Sequence, residues 1–202
     1  MTYDDRPLLA PERLWTCADI MVPECPVPRS RGVYAWYFRR VPHVVPTAGC
    51  RSALGATLLY VGISPKRPPT NGRAPSGQSL RHRIRYHLRG NAAGSTLRLT
   101  LGCLLGDSLS LTLRRVGSGE RYTFADGEER LSQWMAENAL VTWLNADEPW
   151  TLEEDLIARL DLPLNLDQNR RHPFHSVLSA KRREARKRAL ALPLWVNDRV
   201  DR

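Results

Sequence analysis

The chain has 202 residues, 42% of them hydrophobic, enough for one domain of ordinary size that buries its own core without disulfide or metal staples. Lysine and arginine outnumber aspartate and glutamate by 30 to 21, a net charge of +9, which favours a polyanionic partner over an acidic small molecule. No stretch approaches eighteen uninterrupted apolar residues, and Cys17, Cys25, Cys50 and Cys103 contain no CxxC pair, which excludes a membrane-spanning helix and a zinc ribbon or finger.

The N-terminus, Met-Thr-Tyr-Asp-Asp-Arg, lacks a basic segment followed by an apolar one, so the chain is expected in the cytoplasm with its thiols reduced. Residues 1–30 contain Pro7, Pro11, Pro23, Pro26 and Pro28 and are read as an irregular arm packed on the domain, with one short helix from Pro11 to Ala18. Gly32 to Arg39 alternates with Val33, Ala35 and Tyr37 on one face and Tyr34, Trp36 and Phe38 on the other, a strand buried on both sides or bordering a site. After a long loop over 41–55, Thr57 to Ile63 reads as a second strand, antiparallel to the first. Its Gly62 lets backbone or ligand approach closely.

Residues 64–77 turn to Pro, Gly, Ser and basic residues, including Lys66, Arg67 and Arg73: a surface loop, or a flap gripping phosphate. Ser79 caps and Gly90 stops a helix whose apolar stripe is Leu80, Ile84 and Leu88. Arg83 and His87, four apart, share one face of it, and Arg81 and Arg85 add charge for a phosphate backbone. Ala92 to Leu105 is a second helix capped by Ser95, and residues 106–125 form an inserted hairpin, Ser108 to Val116 pairing with Arg121 to Phe124 across Gly117-Ser-Gly119. A helix over Asp126 to Asn138, with Glu128 and Glu129 in its first turn, a strand over Ala139 to Leu144 and a helix over Trp150 to Leu160 follow.

The remaining residues, 168–202, are a basic helical extension carrying Arg170, Arg171, Lys181, Arg182 and Arg186, read either as a solvated helix or as an electrostatic track for a phosphate backbone. His172 and His175 have no carboxylate or cysteine at ligand spacing and make no metal site. Trp36, Trp134, Trp143 and Trp150 are read as core.

Five pieces now stand in order: Gly32-Val33-Tyr34, Tyr60-Val61-Gly62, Arg83 with His87, Glu153-Glu-Asp-Leu-Ile157, and Pro163-Leu-Asn165, with Glu153 and Asn165 twelve positions apart. Together they resemble the GIY-YIG nuclease family over residues 31–167. The resemblance implies an α+β fold, a small central antiparallel three-stranded sheet flanked by helices, and hydrolysis of DNA to a 5′-phosphate and a 3′-hydroxyl. It implies one divalent ion, Mg²⁺ or Mn²⁺, on Glu153, a carboxylate suited to a hard cation. It also pairs Tyr34 with Tyr60, one of them activating water; an unperturbed phenol, with a pKa near ~10, needs neighbouring positive charge to do so.

Arg83 is suited to fork onto the scissile phosphate. His87 matches a less uniform family histidine that orients water or protonates the leaving group, against a plain surface histidine. Asn165 is expected to fix the loop, and Lys66 is the nearest match to an assisting lysine. A nucleic-acid-binding module without turnover and an RNA-directed nuclease stay open as rivals. No separate specificity domain is visible, so a protein partner or an oligomer could supply targeting.

Overall fold

The computed structural model describes residues 4–69 and 76–196. Arg73 and the outer ends of the arm and the extension lie outside the described residues. In chain order the elements are α1 (Arg6–Leu9), α2 (Cys17–Ile20), β1 (Gly32–Phe38), β2 (Ser52–Ala53), β3 (Ala56–Ser64), α3 (Leu80–Arg89), α4 (Thr96–Leu104), β4 (Arg114–Val116), β5 (Arg121–Thr123), α5 (Gly127–Asn138), β6 (Ala139–Asn145), α6 (Pro149–Arg159) and α7 (His175–Leu190). None of these helices is long and apolar enough to cross a membrane.

β1 is the centre of an antiparallel sheet in the order β2-β3-β1-β6. The three expected strands are present, and the loop over 41–55 adds a fourth of two residues. Leu54 and Gly55, at φ 50° and 74°, turn β2 into β3; two consecutive left-handed residues match the twist of a tight hairpin. The alternation of β1 separates two cores. Val33, Ala35 and Tyr37 pack with Leu8, Leu58, Leu152 and Leu156 under α1 and α6, whereas Tyr34, Trp36 and Phe38 pack with Ile84, Leu97, Leu131 and Leu178 under α3, α4, α5 and α7. A central strand covered on both faces needs apolar residues at every position, as this one has.

One irregularity decides where a key tyrosine points. Trp36 pairs with Tyr60 but Tyr37 pairs with Leu58, so Leu59 is an extra residue in β3. Strict alternation would place Tyr60 on the face of Leu58. The bulge re-phases the strand and brings Tyr60 to the face of Tyr34.

The arm differs from expectation. No helix spans Pro11 to Ala18; Trp15 is extended and exchanges backbone hydrogen bonds with Val141 at 2.9 and 3.0 Å, lengthening the β6 edge. The cause is local: Thr16 and Asp19 form a capping box, which starts a helix at Cys17 and not before. The inserted hairpin forms with shorter strands than expected, Arg114–Val116 against Arg121–Thr123, with Gly117 and Gly119 both at positive φ in its turn. All four cysteines are free thiols. His172 donates through Nε2 to Asp161 and accepts from the Phe174 N–H through Nδ1, which uses both ring nitrogens in packing.

Candidate functional site

A cleft of about 400 Å³ opens where β1, β3, α3 and α6 meet, lined by Tyr34, Tyr60, Lys66, Arg83, Glu153 and Asn165 among others. Five of the six residues read from the motifs therefore face one space. The sixth, His87, lies behind it.

His87 is fully buried and bridges two hydroxyls, with Nε2 at 2.7 Å from the Tyr34 oxygen and Nδ1 at 2.7 Å from Ser95 Oγ. Ser95 caps α4, so its oxygen already accepts from the Arg98 N–H at 3.1 Å. Sending the Ser95 proton to Nδ1 satisfies every group, and that tautomer donates its Nε2–H to Tyr34. Burial, then the charges of Arg83 and Arg98, hold the imidazole well below its ordinary pKa, so it is neutral and acts by orientation. It is no surface histidine, and it does not reach the cleft. Because folded His87 refuses the proton that the unfolded chain binds below about 6.5, stability is complete above that pH and falls as the pH drops below it. Urea unfolding at descending pH should show a steeper loss in wild type than in His87→Gln; parallel curves would refute the linkage.

Arg83 and the Tyr60 hydroxyl lie near enough to the Tyr34 oxygen to favour its ionised form. Burial still dominates and pushes the Tyr34 phenol up to about 12 and Tyr60 well above 10, so both are neutral at physiological pH. Gly62, opposite Tyr34 in the β1–β3 register, makes room for this ring. A Cβ on Gly62 would lie 2.6 Å from the Tyr34 hydroxyl oxygen and 2.7 Å from Cζ. Gly62→Ala should therefore displace the hydroxyl from His87 and lower turnover roughly 10²-fold, the cost of an ångström-scale misplacement. Unaltered turnover in that variant would show that the Tyr34 position is unimportant.

Arg83 donates Nη1 to the Gly94 carbonyl at 2.7 Å, which fixes the guanidinium at the cleft wall. Asn165 clamps β3 from the side: its Oδ1 accepts from the Val61 N–H at 2.9 Å and its Nδ2 donates to the Val61 carbonyl at 2.8 Å. β2 is too short to cover that stretch, and the Asn165 amide stands in for the missing strand. Its work is positional.

Glu153 projects from the second turn of α6. Burial raises its carboxyl to about 7; the Gln168 amide lowers it, Glu154 and Asp167 raise it by repulsion, and Lys66 lowers it again. Arg67 pairs with Glu154 at 2.9 Å, so the described part of the loop over 64–77 does reach the cleft. Gln168, held at φ 64°, Asp167 and Trp150 also line it. Nothing in the local sequence singles out Asp167 or Gln168, and Trp150 stands at the cleft where its apolar bulk suggests core.

Arg81 and Arg85 do not line the cleft. Half a turn away from Arg83, they lie on the opposite face of α3 and bond to the arm: Arg81 to the carbonyls of Val27 and Cys25 at 2.6 and 3.1 Å, Arg85 to those of Ile20 and Val22 at 3.1 and 2.5 Å. Spacing along a helix shows a shared face but not what covers it. On the C-terminal extension Arg170, Arg171 and Arg186 are exposed, Lys181 lines a groove between α4 and α7, and Arg182 turns inward with Nε and Nη1 buried and unpartnered.

With this geometry established, the family description GIY-YIG catalytic domain matches residues 32–186. No curated protein and no solved structure matches the chain.

Proposed function

The chain belongs to the GIY-YIG catalytic domain family, a nuclease family, and from that premise we propose that it is a divalent-metal-dependent endonuclease that hydrolyses phosphodiester bonds of DNA. The observation that carries the proposal is the convergence of Tyr34, Tyr60, Arg83 and Glu153 on one cleft, from four elements widely separated in the chain.

The cleft suits a single hard cation. Glu153 is a largely desolvated carboxyl whose ionised form burial disfavours first and Glu154 and Asp167 disfavour further, a cost that a cation beside it relieves. Among the described residues no group of three or more His, Cys, Asp and Glu side chains could close around an ion. Glu153 would then hold it alone, with water and phosphate oxygens completing the shell, as Mg²⁺ or Mn²⁺ accepts. When bound, the ion supplies Lewis-acid charge to the phosphate.

The residues of the chain do the rest. Arg83, rigid against Gly94, offsets the charge gained on the phosphate oxygens. Tyr34, whose oxygen receives the His87 Nε2–H, acts as base only after its own phenolic proton has left to solvent; the Arg83 charge favours that phenolate, which then takes the proton of the attacking water. The Tyr60 hydroxyl also steadies the phenolate, and Asn165 holds Tyr60 through β3. Lys66 and the exposed Arg170, Arg171 and Arg186 attract the polyanion, with Lys181 and Arg182 contributing from α7.

Purified protein incubated with supercoiled plasmid and end-labelled single-stranded, duplex and branched DNA should cut with Mg²⁺ or Mn²⁺ and not with chelator. Arg83→Ala should lower turnover roughly 10²- to 10³-fold, as loss of a charge-stabilising donor does. Cleavage at wild-type rate by that variant defeats the assignment. Tight binding without scission on every DNA, set beside scission of RNA, would shift the substrate to RNA.

A further inference from the structure

The face of α3 opposite Arg83 borders a separate groove of about 840 Å³. Arg29, Arg81, His82, Arg85 and Arg89 line it, and among the described residues no carboxylate does. Arg81, Arg85 and Arg89 recur every fourth residue along one side of the helix.

The charge is neither neutralised nor loose. Arg81 and Arg85 each spend Nε and Nη2 on neutral carbonyls of the arm, so both planes are fixed while the full positive charge and Nη1 remain available. Arg29 and Arg89 are exposed, and among the described residues their side chains make no hydrogen bond or ion pair. An array of cations without anions repels itself, and holding it rigid against carbonyls makes sense when a polyanion supplies the counter-charge. Pre-fixed guanidinium planes also lose little freedom on gripping phosphate. The rings of His82 and Tyr86, also lining the groove, lie nearly parallel, 21° apart with centroids at 6.3 Å, and give it an aromatic wall.

We infer that this groove is a second phosphate-backbone track, which holds the substrate nucleic acid beyond the cleft on the outer face of α3. The inference rests on the nucleic-acid reading of the cleft. It also explains the arm, which builds the track by anchoring Arg81 and Arg85.

The test is binding in chelator, so that cleavage plays no part, of wild type and an Arg29→Ala/Arg89→Ala variant to a long duplex and to a short one that fills the cleft alone. Neither residue holds the fold, and equal melting temperatures verify that. The variant should bind the long duplex more weakly, with a salt slope shallower by about 1.8 if two phosphate contacts are lost, and the short duplex as wild type does. Unchanged affinity and slope on the long duplex overturn the inference, and so does an equal loss on both duplexes, which would place the two arginines at the cleft. A length-dependent loss in a protein that never cuts DNA or RNA supports the track and defeats the nuclease reading.

Discussion

Glu153→Gln should abolish metal-dependent cleavage, by roughly 10³-fold or more given the several kcal/mol that a Lewis acid contributes, and at the same time make the protein more stable above pH 7. The two effects have one origin. The raised Glu153 pKa means that the folded state favours the protonated acid, so this group's contribution to stability is complete below the unfolded value of 4.5 and is lost as pH rises through about 7. Above that, the fold carries a buried carboxylate at a cost of about 3 kcal/mol, which the isosteric amide avoids. A divalent ion should offset the same cost, so Mg²⁺ should raise the wild-type melting temperature at pH 8 and leave that of Glu153→Gln unmoved. Thermal melts at pH 6 and pH 8, with metal and with chelator, read both. A variant that still cuts, or one that metal stabilises as much as wild type, would remove Glu153 from the centre of the site.

The second large effect is structural. Arg98 is fully buried on α4 and donates Nη2 and Nε to Glu128 Oε2 at 2.7 and 3.1 Å, Nη2 to the Glu128 carbonyl, and Nη1 to the His87 and Leu88 carbonyls at the end of α3. Glu128 uses its other oxygen for the N–H groups of Ala92 and Phe124 and the hydroxyl of Thr123. One ion pair thus ties α3, α4, β5 and α5 together behind the cleft. Glu128→Ala would leave the buried Arg98 guanidinium without its counter-charge and three further donors without their acceptor, a loss of about 3–5 kcal/mol. Arg98→Met combined with Glu128→Leu should recover the part due to the orphaned charge, while the Ala92 and Phe124 N–H groups and the Thr123 hydroxyl still lack their acceptor. Equilibrium urea unfolding of the single and double variants decides; a loss under about 1 kcal/mol for Glu128→Ala would show that water replaces the carboxylate, against its burial.

Glu128 also shows where sequence reasoning stops. In the chain it is a first-turn carboxylate suited to a helix N-terminus, and it does stand there, in the first turn of α5. Its partner is thirty residues earlier, and no local pattern reveals the pairing. His87 is similar: its spacing from Arg83 is legible, but that it turns inward to Tyr34 and Ser95 depends on how α3 and α4 pack. The face of Tyr60 is the clearest case, since the run Leu58 to Ile63 carries no sign of the bulge at Leu59.

By itself the sequence determined the two-faced strand of Gly32–Phe38, the capped helix bearing Arg83, the order of the five motifs, and the excess of positive charge. All of these are local: periodicity, capping and spacing act within a few residues, and composition needs no fold at all. Only the tertiary structure decided that Tyr60 turns towards Tyr34, that Arg81 and Arg85 clasp the arm behind the helix, and that Glu153 lies among groups that lift its pKa. Each of those is set by burial and by register between segments distant in the chain, and desolvation, the largest influence on both tyrosines and on Glu153, exists only once those segments close over them.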